Sequence, residues 1–384
     1  MRVVTLGLLA LIAAQACHDN PIDVKNPPPV EVPAIAALST GDHSCALDTN
    51  GVAYCWGYNG NGQLGNNDTS FVNTNPVKVL GGLRFQTIDV PTFAEVSCGI
   101  TTEGAAYCWG KNAVGQIGDG TMVRRLVPTA VVGGITFKDI SVGFQHVCAV
   151  ATTGTAYCWG FSPNGAFGDL VVGSRLTPEL SAPRLTLASV VSGDDFSCGL
   201  TTTGAAHCWG VGHRGQLGNG DTARHTSPVP VAGGLTFRSL AAAGLSACGL
   251  TAEGKAYCWG ENFYGQVGDG TNARRLAPVA VSGDLTFASL SAGFETVCGV
   301  TPNGAGYCWG YNQSGGIGDG TQFHRSVPTP VAGNVAFRSI SAGTGVTCGI
   351  SVDSIVYCWG DNPAGELGDG TTTSRLIPAP IRWR

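Results

Sequence analysis

Charge is scarce in this chain: Asp, Glu, Lys and Arg make up 12% of its 384 residues, and the net charge is −5 with no block of one sign. Such a balance supplies no polyanion-binding stripe, which argues against nucleic acid and against electrostatic docking on anionic lipid. Helix-like periodicity is also missing, and charged helix formers are too few to coat surface helices. The apolar run from Val3 to Ala14 is too short to cross a bilayer. Neither H-E-x-x-H nor G-x-S-x-G occurs, histidines number 7 without a shared motif, and no acid pair stands in a repeated context. We therefore expect no catalytic set, no metal site and no cofactor.

Present instead are 58 glycines and 15 cysteines. The string Cys-Trp-Gly ends at Gly57, Gly110, Gly160, Gly210, Gly260, Gly310 and Gly360, a spacing of 53 once and 50 thereafter. A period of this length marks a tandem array. Each repeat reads as about four short strands: an apolar stretch, a stretch holding the first cysteine, a stretch holding Cys-Trp-Gly, and one around a proline after a glycine-rich loop. The sequence predicts an all-β fold, a seven-bladed β-propeller over 35–384 with four strands per blade. Ring closure protects sheet edges that would otherwise recruit other chains.

The middle of each repeat predicts a hairpin. Around Ala252-Glu253-Gly254, Cys248 faces Cys258, Gly249 faces Tyr257 and Leu250 faces Ala256, with glycine where a short hairpin loop needs positive φ. The seventh repeat has Ser354 there. Opposed residues lie about 4.5 or 5.5 Å apart at Cα, within disulfide range. Seven cross-strand disulfides are therefore expected: Cys45/Cys55, Cys98/Cys108, Cys148/Cys158, Cys198/Cys208, Cys248/Cys258, Cys298/Cys308 and Cys348/Cys358. On the other face a bare residue such as Gly249 opposes an aromatic such as Tyr257, and the ring is expected to cover it.

The fifteenth cysteine, Cys17, follows an N-terminal stretch that reads as a signal peptide, residues 1–16. Ala14-Gln15-Ala16 fits ordinary signal peptidase, whereas an odd cysteine just after it suggests acylation as a bacterial lipoprotein. Residues 17–34, with Pro27-Pro28-Pro29, read as an extended linker. The expected setting is the bacterial cell envelope, with a lipid anchor as the sole membrane contact, or secretion if cleavage follows Ala16.

Gly-x-x-His-Ser-Cys-Ala-Leu (Gly41–Leu47), Tyr-Cys-Trp-Gly (Tyr54–Gly57) and Asn-x-x-Gly-Gln-Leu-Gly (Asn59–Gly65) resemble the regulator-of-chromosome-condensation repeat. The cysteine pairing is similar to that expected of bacterial exported members, in a superfamily shared with the type II β-lactamase inhibitor protein. Departures are clear. The repeat histidine survives at His43 and His146 only, and the third repeat reads Gly165-Ala166-Phe167-Gly168-Asp169-Leu170. No large wedge-like insertion is visible, which argues against a small GTPase as partner.

A rigid propeller presents loops that differ between blades. The expected function is protein–protein binding, or binding of another envelope macromolecule. The alternatives are a hydrolase-like enzyme working at the central channel and a purely structural envelope protein. Candidate binding residues lie after Trp-Gly (Tyr58, His213, Arg214, Phe263, Tyr264) and before the first cysteine (Phe144, Phe196, Phe294). Asp119, Asp169, Asp269, Asp319 and Asp369 recur six residues before an arginine. They read as turn-closing residues, or as a ring of ion ligands.

Overall fold

The computed structural model describes residues 32–383, and residues 1–16 and Cys17 lie outside that span. Seven four-stranded antiparallel sheets follow one another along the chain, at 35–78, 85–130, 137–181, 187–230, 239–280, 289–330 and 337–380. In blade 5 the strands are Ser239–Ala243, Ser246–Leu250, Ala256–Gly260 and Arg275–Ala280, each paired with the next. First strands touch their neighbours all the way round, blade 7 against blade 1 included, so they line the centre of a closed ring.

The hairpin register is the same in every blade. Cys248 pairs with Cys258, Gly249 with Tyr257 and Leu250 with Ala256. Disulfides join Cys45 to Cys55, Cys98 to Cys108, Cys148 to Cys158, Cys198 to Cys208, Cys248 to Cys258, Cys298 to Cys308 and Cys348 to Cys358, with Cα atoms 4.0–4.2 Å apart.

The expected cysteine pairing is the one found, and the structure adds where the pairs lie. All fourteen are fully buried, third-strand Cys55, Cys108, Cys158, Cys208, Cys258, Cys308 and Cys358 as much as their second-strand partners. Each pair shares an apolar cluster with the Cys-Trp-Gly tryptophan of the next blade: Cys45 and Cys55 with Trp109, Cys98 and Cys108 with Trp159, Cys148 and Cys158 with Trp209, Cys198 and Cys208 with Trp259, Cys348 and Cys358 with Trp56. The sulfurs are therefore core atoms at the seams, closed to any ligand. A two-strand view fixes which cysteines are opposed, but not which face of the hairpin the next blade covers.

One expectation about these hairpins is corrected, that for the bare positions. The space above Gly249 is taken by Phe237 of the first strand, whose ring stands 2.5 Å from where a Cβ would lie. Tyr257 packs edge-on beyond that ring, at 6.5 Å between centroids. Phe85, Phe287 and Phe337 cover Gly99, Gly299 and Gly349 in the same way. Phenylalanine can be fully buried there, whereas tyrosine keeps its hydroxyl at the surface.

The core is divided among the seams. Each of the seven Cys-Trp-Gly tryptophans is fully buried, and its indole N–H donates to a carbonyl of the preceding blade. Trp109 bonds Gln63, Trp209 bonds Ala166 and Trp309 bonds Gln266, at 2.8–3.0 Å. Trp56 bonds Glu366 of blade 7 at 2.8 Å and closes the ring. A glycine with positive φ lies under each indole. A Cβ at Gly268 (φ 77°) would stand 2.6 Å from Trp309 Nε1, so this repeated glycine is required by close approach as well as by conformation.

Around the channel, a first-strand side chain often accepts the backbone N–H of the next blade: Ser39 from Val90, Asp89 from Val142, Ser141 from Ser192, Ser291 from Ala342 and Ser341 from Thr40, all at 2.7–3.0 Å. The aspartate–arginine repeats resolve as intra-blade turns. Asp119, Asp169, Asp269, Asp319 and Asp369 pair with Arg125, Arg175, Arg275, Arg325 and Arg375 at 2.5–2.6 Å. For Asp269, burial raises the carboxyl pKa, but bonds from Thr271 and Arg275 more than offset it and hold the group below its ordinary value.

Candidate functional site

Chain direction reverses at every turn of a four-stranded meander. The loops joining strands 1–2 and 3–4 therefore share one rim, while the 2–3 hairpins sit on the opposite one. Two adjoining cavities on the loop rim draw residues from both loop families. The larger, about 460 Å³, is lined by Asp42, Tyr58, Phe71, Glu95, Asp361 and Glu366, among others. The smaller, about 220 Å³, is lined by Phe93, Phe294, Glu295 and Tyr311. Thr344 and Asp361 border both, so they form one groove across blade 7.

Aromatic edges build its walls. Tyr58 meets Phe71 at 4.7 Å, and Phe93 meets Phe294 at 4.3 Å, both edge-to-face. The second contact spans blades 2 and 6, because the turn at Pro91–Ala94 crosses the mouth of the channel. Thr344 Oγ1 of blade 7 donates to the Thr92 carbonyl at the same crossing. Farther round, Phe263, Tyr264, Tyr311 and His324 form a continuous aromatic cluster, with centroids 4.8–5.1 Å apart.

The groove is also electronegative. Among the described residues its Asp42, Glu295, Asp361 and Glu366 form no ion pair, whereas Glu95 is held by Lys111 at 2.8 Å. Burial pushes Glu366 up to about 7, with Asp361 and Asp42 adding to the rise. Glu295 reaches about 7, through burial and then the charges of Glu261 and Asp194. Asp42 is lifted to about 6 by burial against a bond from Thr344, and Glu95 adds to it. Carboxyls that raise one another in this way would bind a cation favourably.

The candidate residues from sequence separate into groups. Tyr58 and Phe294 line the groove. Phe263, 68% exposed, stands with Tyr264 in the aromatic cluster. Arg214 pairs with Glu261, and the exposed His213 accepts a bond from Arg274 through its carbonyl. Phe144 is exposed but lines neither cavity. Phe196 has to be struck out, because it is fully buried. It opens the second strand opposite Gly210, where a side chain faces the seam, and its ring lies against Gly193. The buried disulfides likewise contribute no atom to the groove: none of Cys55, Cys108, Cys158, Cys208 and Cys358, nor any other paired cysteine, lines either cavity.

Sequence reasoning missed Phe71, Phe93, Glu295 and Glu366. The single 53-residue spacing was a usable signal: Ile88 to Val96 is longer than Ile140 to His146, and the extra residues make the turn that carries Phe93. In the channel, the inward-facing set is Ser39, Asp89, Ser141, Ser192, Ser291 and Ser341. Asp89 accepts from Ser39 and the Val142 N–H. No group of three or more metal-ligating side chains exists among the described residues.

The RCC1-like domain matches residues 100–384, and the regulator of chromosome condensation (RCC1) repeat matches 35–63 and 50–101. The chain is 32% identical over 136 residues to the ultraviolet-B receptor UVR8 of Arabidopsis thaliana, covering 34% of this chain and 30% of the receptor. It is 32% identical over 116 residues to the human E3 ubiquitin-protein ligase HERC2, covering 28% of this chain and 2% of the ligase. Human WBSCR16 superposes with a TM-score of 0.78 at 18% identity, over 86% of this chain and 95% of that one. Prp20p of Saccharomyces cerevisiae, studied with its binding to Gsp1p and histones, gives 0.76 at 20%, over 88% and 87%.

These likenesses correct several expectations. The relatives are plant, animal and yeast proteins. They replace the bacterial, exported, lipid-anchored envelope setting, and no β-lactamase inhibitor is among them. That setting rested on the N-terminal run and Cys17, which lie outside the described residues. Exclusion of a small GTPase is corrected by Prp20p, whose reported partner Gsp1p is one. The lack of a large insertion says nothing about what an open rim can hold.

Proposed function

We propose a protein-binding function, starting from the family to which this chain belongs, that of RCC1-like domains. The chain is a binding propeller, not an enzyme, and it docks a partner protein on the loop rim. The single observation that carries this reading is the groove, where two variable loop families converge, aromatic edges stand exposed and carboxylates lack cationic partners. Aromatic anchors supply contact area at low entropic cost, and the unpaired acids select a partner with a basic surface.

Prp20p, of the same fold, binds Gsp1p and histones. A small GTPase is accordingly the first candidate, with Gsp1p as the purified probe and histone as the basic comparison. The test measures binding to Gsp1p and a pull-down from eukaryotic extract, with two double variants, Phe294→Ala/Tyr311→Ala and Glu295→Lys/Asp361→Lys. We expect at least a roughly tenfold loss of affinity, weakening with salt, at an unchanged melting temperature. Partners retained at full affinity by both variants would reject the loop rim as the docking face.

A further inference from the structure

Tandem repeats expose their own exceptions. Where most blades agree and one does not, folding has no need of the difference. Three such exceptions meet at the seam of blades 3 and 4. Leu170 stands where the other blades from 2 to 7 have Gly120, Gly220, Gly270, Gly320 and Gly370, and it keeps a positive φ of 73° despite its side chain. Pro183-Arg184 replaces the turn that is Gly133-Gly134 or Gly233-Gly234 elsewhere, so the positive φ moves to Ala182 (45°). His207 replaces the tyrosine present in every other blade.

All three line one cavity of about 470 Å³, which shares no residue with the loop-rim groove. Its size lies within the range of small-molecule sites. Leu170, Leu185, Pro183 and Pro228 make the walls apolar. Its polar lining residues are Asp169, Arg184, His207 and Ser227. Arg184 is exposed and forms no ion pair among the described residues. His207 borders the cavity as a half-exposed ring whose Nδ1 is shielded from solvent. The nearest acid, Asp169, is already engaged by Arg175 at 2.5 Å.

We propose that this cavity binds a small organic acid, with its apolar body against Leu170, Leu185 and Pro228, its carboxylate on Arg184 and a hydrogen bond to His207. A guanidinium without a carboxylate partner selects the anionic end. The half-exposed His207 ring offers that ligand a second polar contact. The proline walls are rigid, so little ordering is needed on binding.

The experiment is calorimetric titration of the whole protein with octanoate and 3-phenylpropionate, with octanamide as the uncharged control. Saturable binding of an acid is expected, with octanamide roughly tenfold weaker or more. Arg184→Ala should weaken the acids by a similar factor and leave octanamide unchanged. His207→Tyr with Leu170→Gly, which restores the repeat pattern, should abolish binding and keep or raise the melting temperature. Absence of saturable acid binding to the natural protein overturns the proposal. So does acid affinity that Arg184→Ala leaves unchanged, or that survives in the restored, folded variant.

Discussion

The two rims of the ring are made by the same seven repeats and have diverged in opposite ways. On the hairpin rim one turn is used seven times: Gly51, Gly104, Gly154, Gly204, Gly254, Gly304 and Ser354 all have φ between 64° and 87°. On the loop rim the turns differ in length, charge and aromatic content. One of them reaches across the channel from blade 2 to blade 6. Demands common to all blades hold the first rim constant, while the second is free to serve a partner. Stability and recognition are thereby placed on different residues, and substitutions can test that separation.

The largest effects should come from the seams, which belong to both rims. Trp209→Ala removes a buried indole and its bond to Ala166, at a cost of roughly 3–5 kcal/mol by denaturant unfolding. Gly268→Ala should also cost several times more than Gly233→Ala. Both have positive φ, but only Gly268 has an indole within 3 Å of the new methyl group. Equal costs would mean that conformation alone, and not the close approach, holds these glycines.

Next comes the staple. Replacing Cys298 and Cys308 together by alanine should cost about 2–3 kcal/mol, since the bond closes a short loop of the unfolded chain. Partner binding on the loop rim should be unaffected.

Glu366 sharpens the comparison through pH. Its folded pKa is raised to about 7, so the native state holds a proton that the unfolded state has released. Stability contributed by this group is thus full below the ordinary glutamate range and falls as pH rises toward 7. Glu366→Gln should raise stability at pH 8 by about 2 kcal/mol and change it little at pH 4. An equal gain at both values would show that the carboxyl is not raised.

On the hairpin rim, Ser354 adopts φ 64° where the other blades have glycine. Ser354→Gly should stabilise by about 1 kcal/mol, and Gly254→Ser should destabilise by at least as much. The smallest effect should be Phe263→Ala, which removes an exposed ring and should shift stability by no more than about 0.5 kcal/mol. If it cost as much as a disulfide, the rims would not be separate in function.

Much of the blade was legible in the sequence because the repeat is strict. The hairpin Cys248–Cys258 could be registered residue by residue from its loop glycine, and the period implied seven sheets. What escaped was whatever depends on neighbours in space. Phe196 read as a loop aromatic because it stands just before the first cysteine of its repeat, but a second-strand opening residue faces the seam. Phe237 could not be placed over Gly249 from a two-strand view, since it comes from the strand beside the hairpin. The same view pairs Cys198 with Cys208 but cannot show Trp259 of the next blade closing over them. Asp42 and Glu95 belong to the first two repeats and Asp361 and Glu366 to the seventh, and only ring closure makes them one charged groove.

The closing indole bond has a further consequence. Each blade consists of four consecutive strands, so blades 7 and 1 meet without exchanging any strand. Their seam carries the same bonds as the others: Trp56 to Glu366, and the Thr40 N–H to Ser341. Trp383 rests 5.2 Å from Tyr54, beside the start of the ring. The blade at which the chain starts is therefore not dictated by the seams, provided the cyclic order of the blades is kept. A circular permutant that joins residue 383 to residue 33 by a short linker, and opens instead at the exposed Gly233-Gly234 turn, would present every seam unchanged to its neighbours.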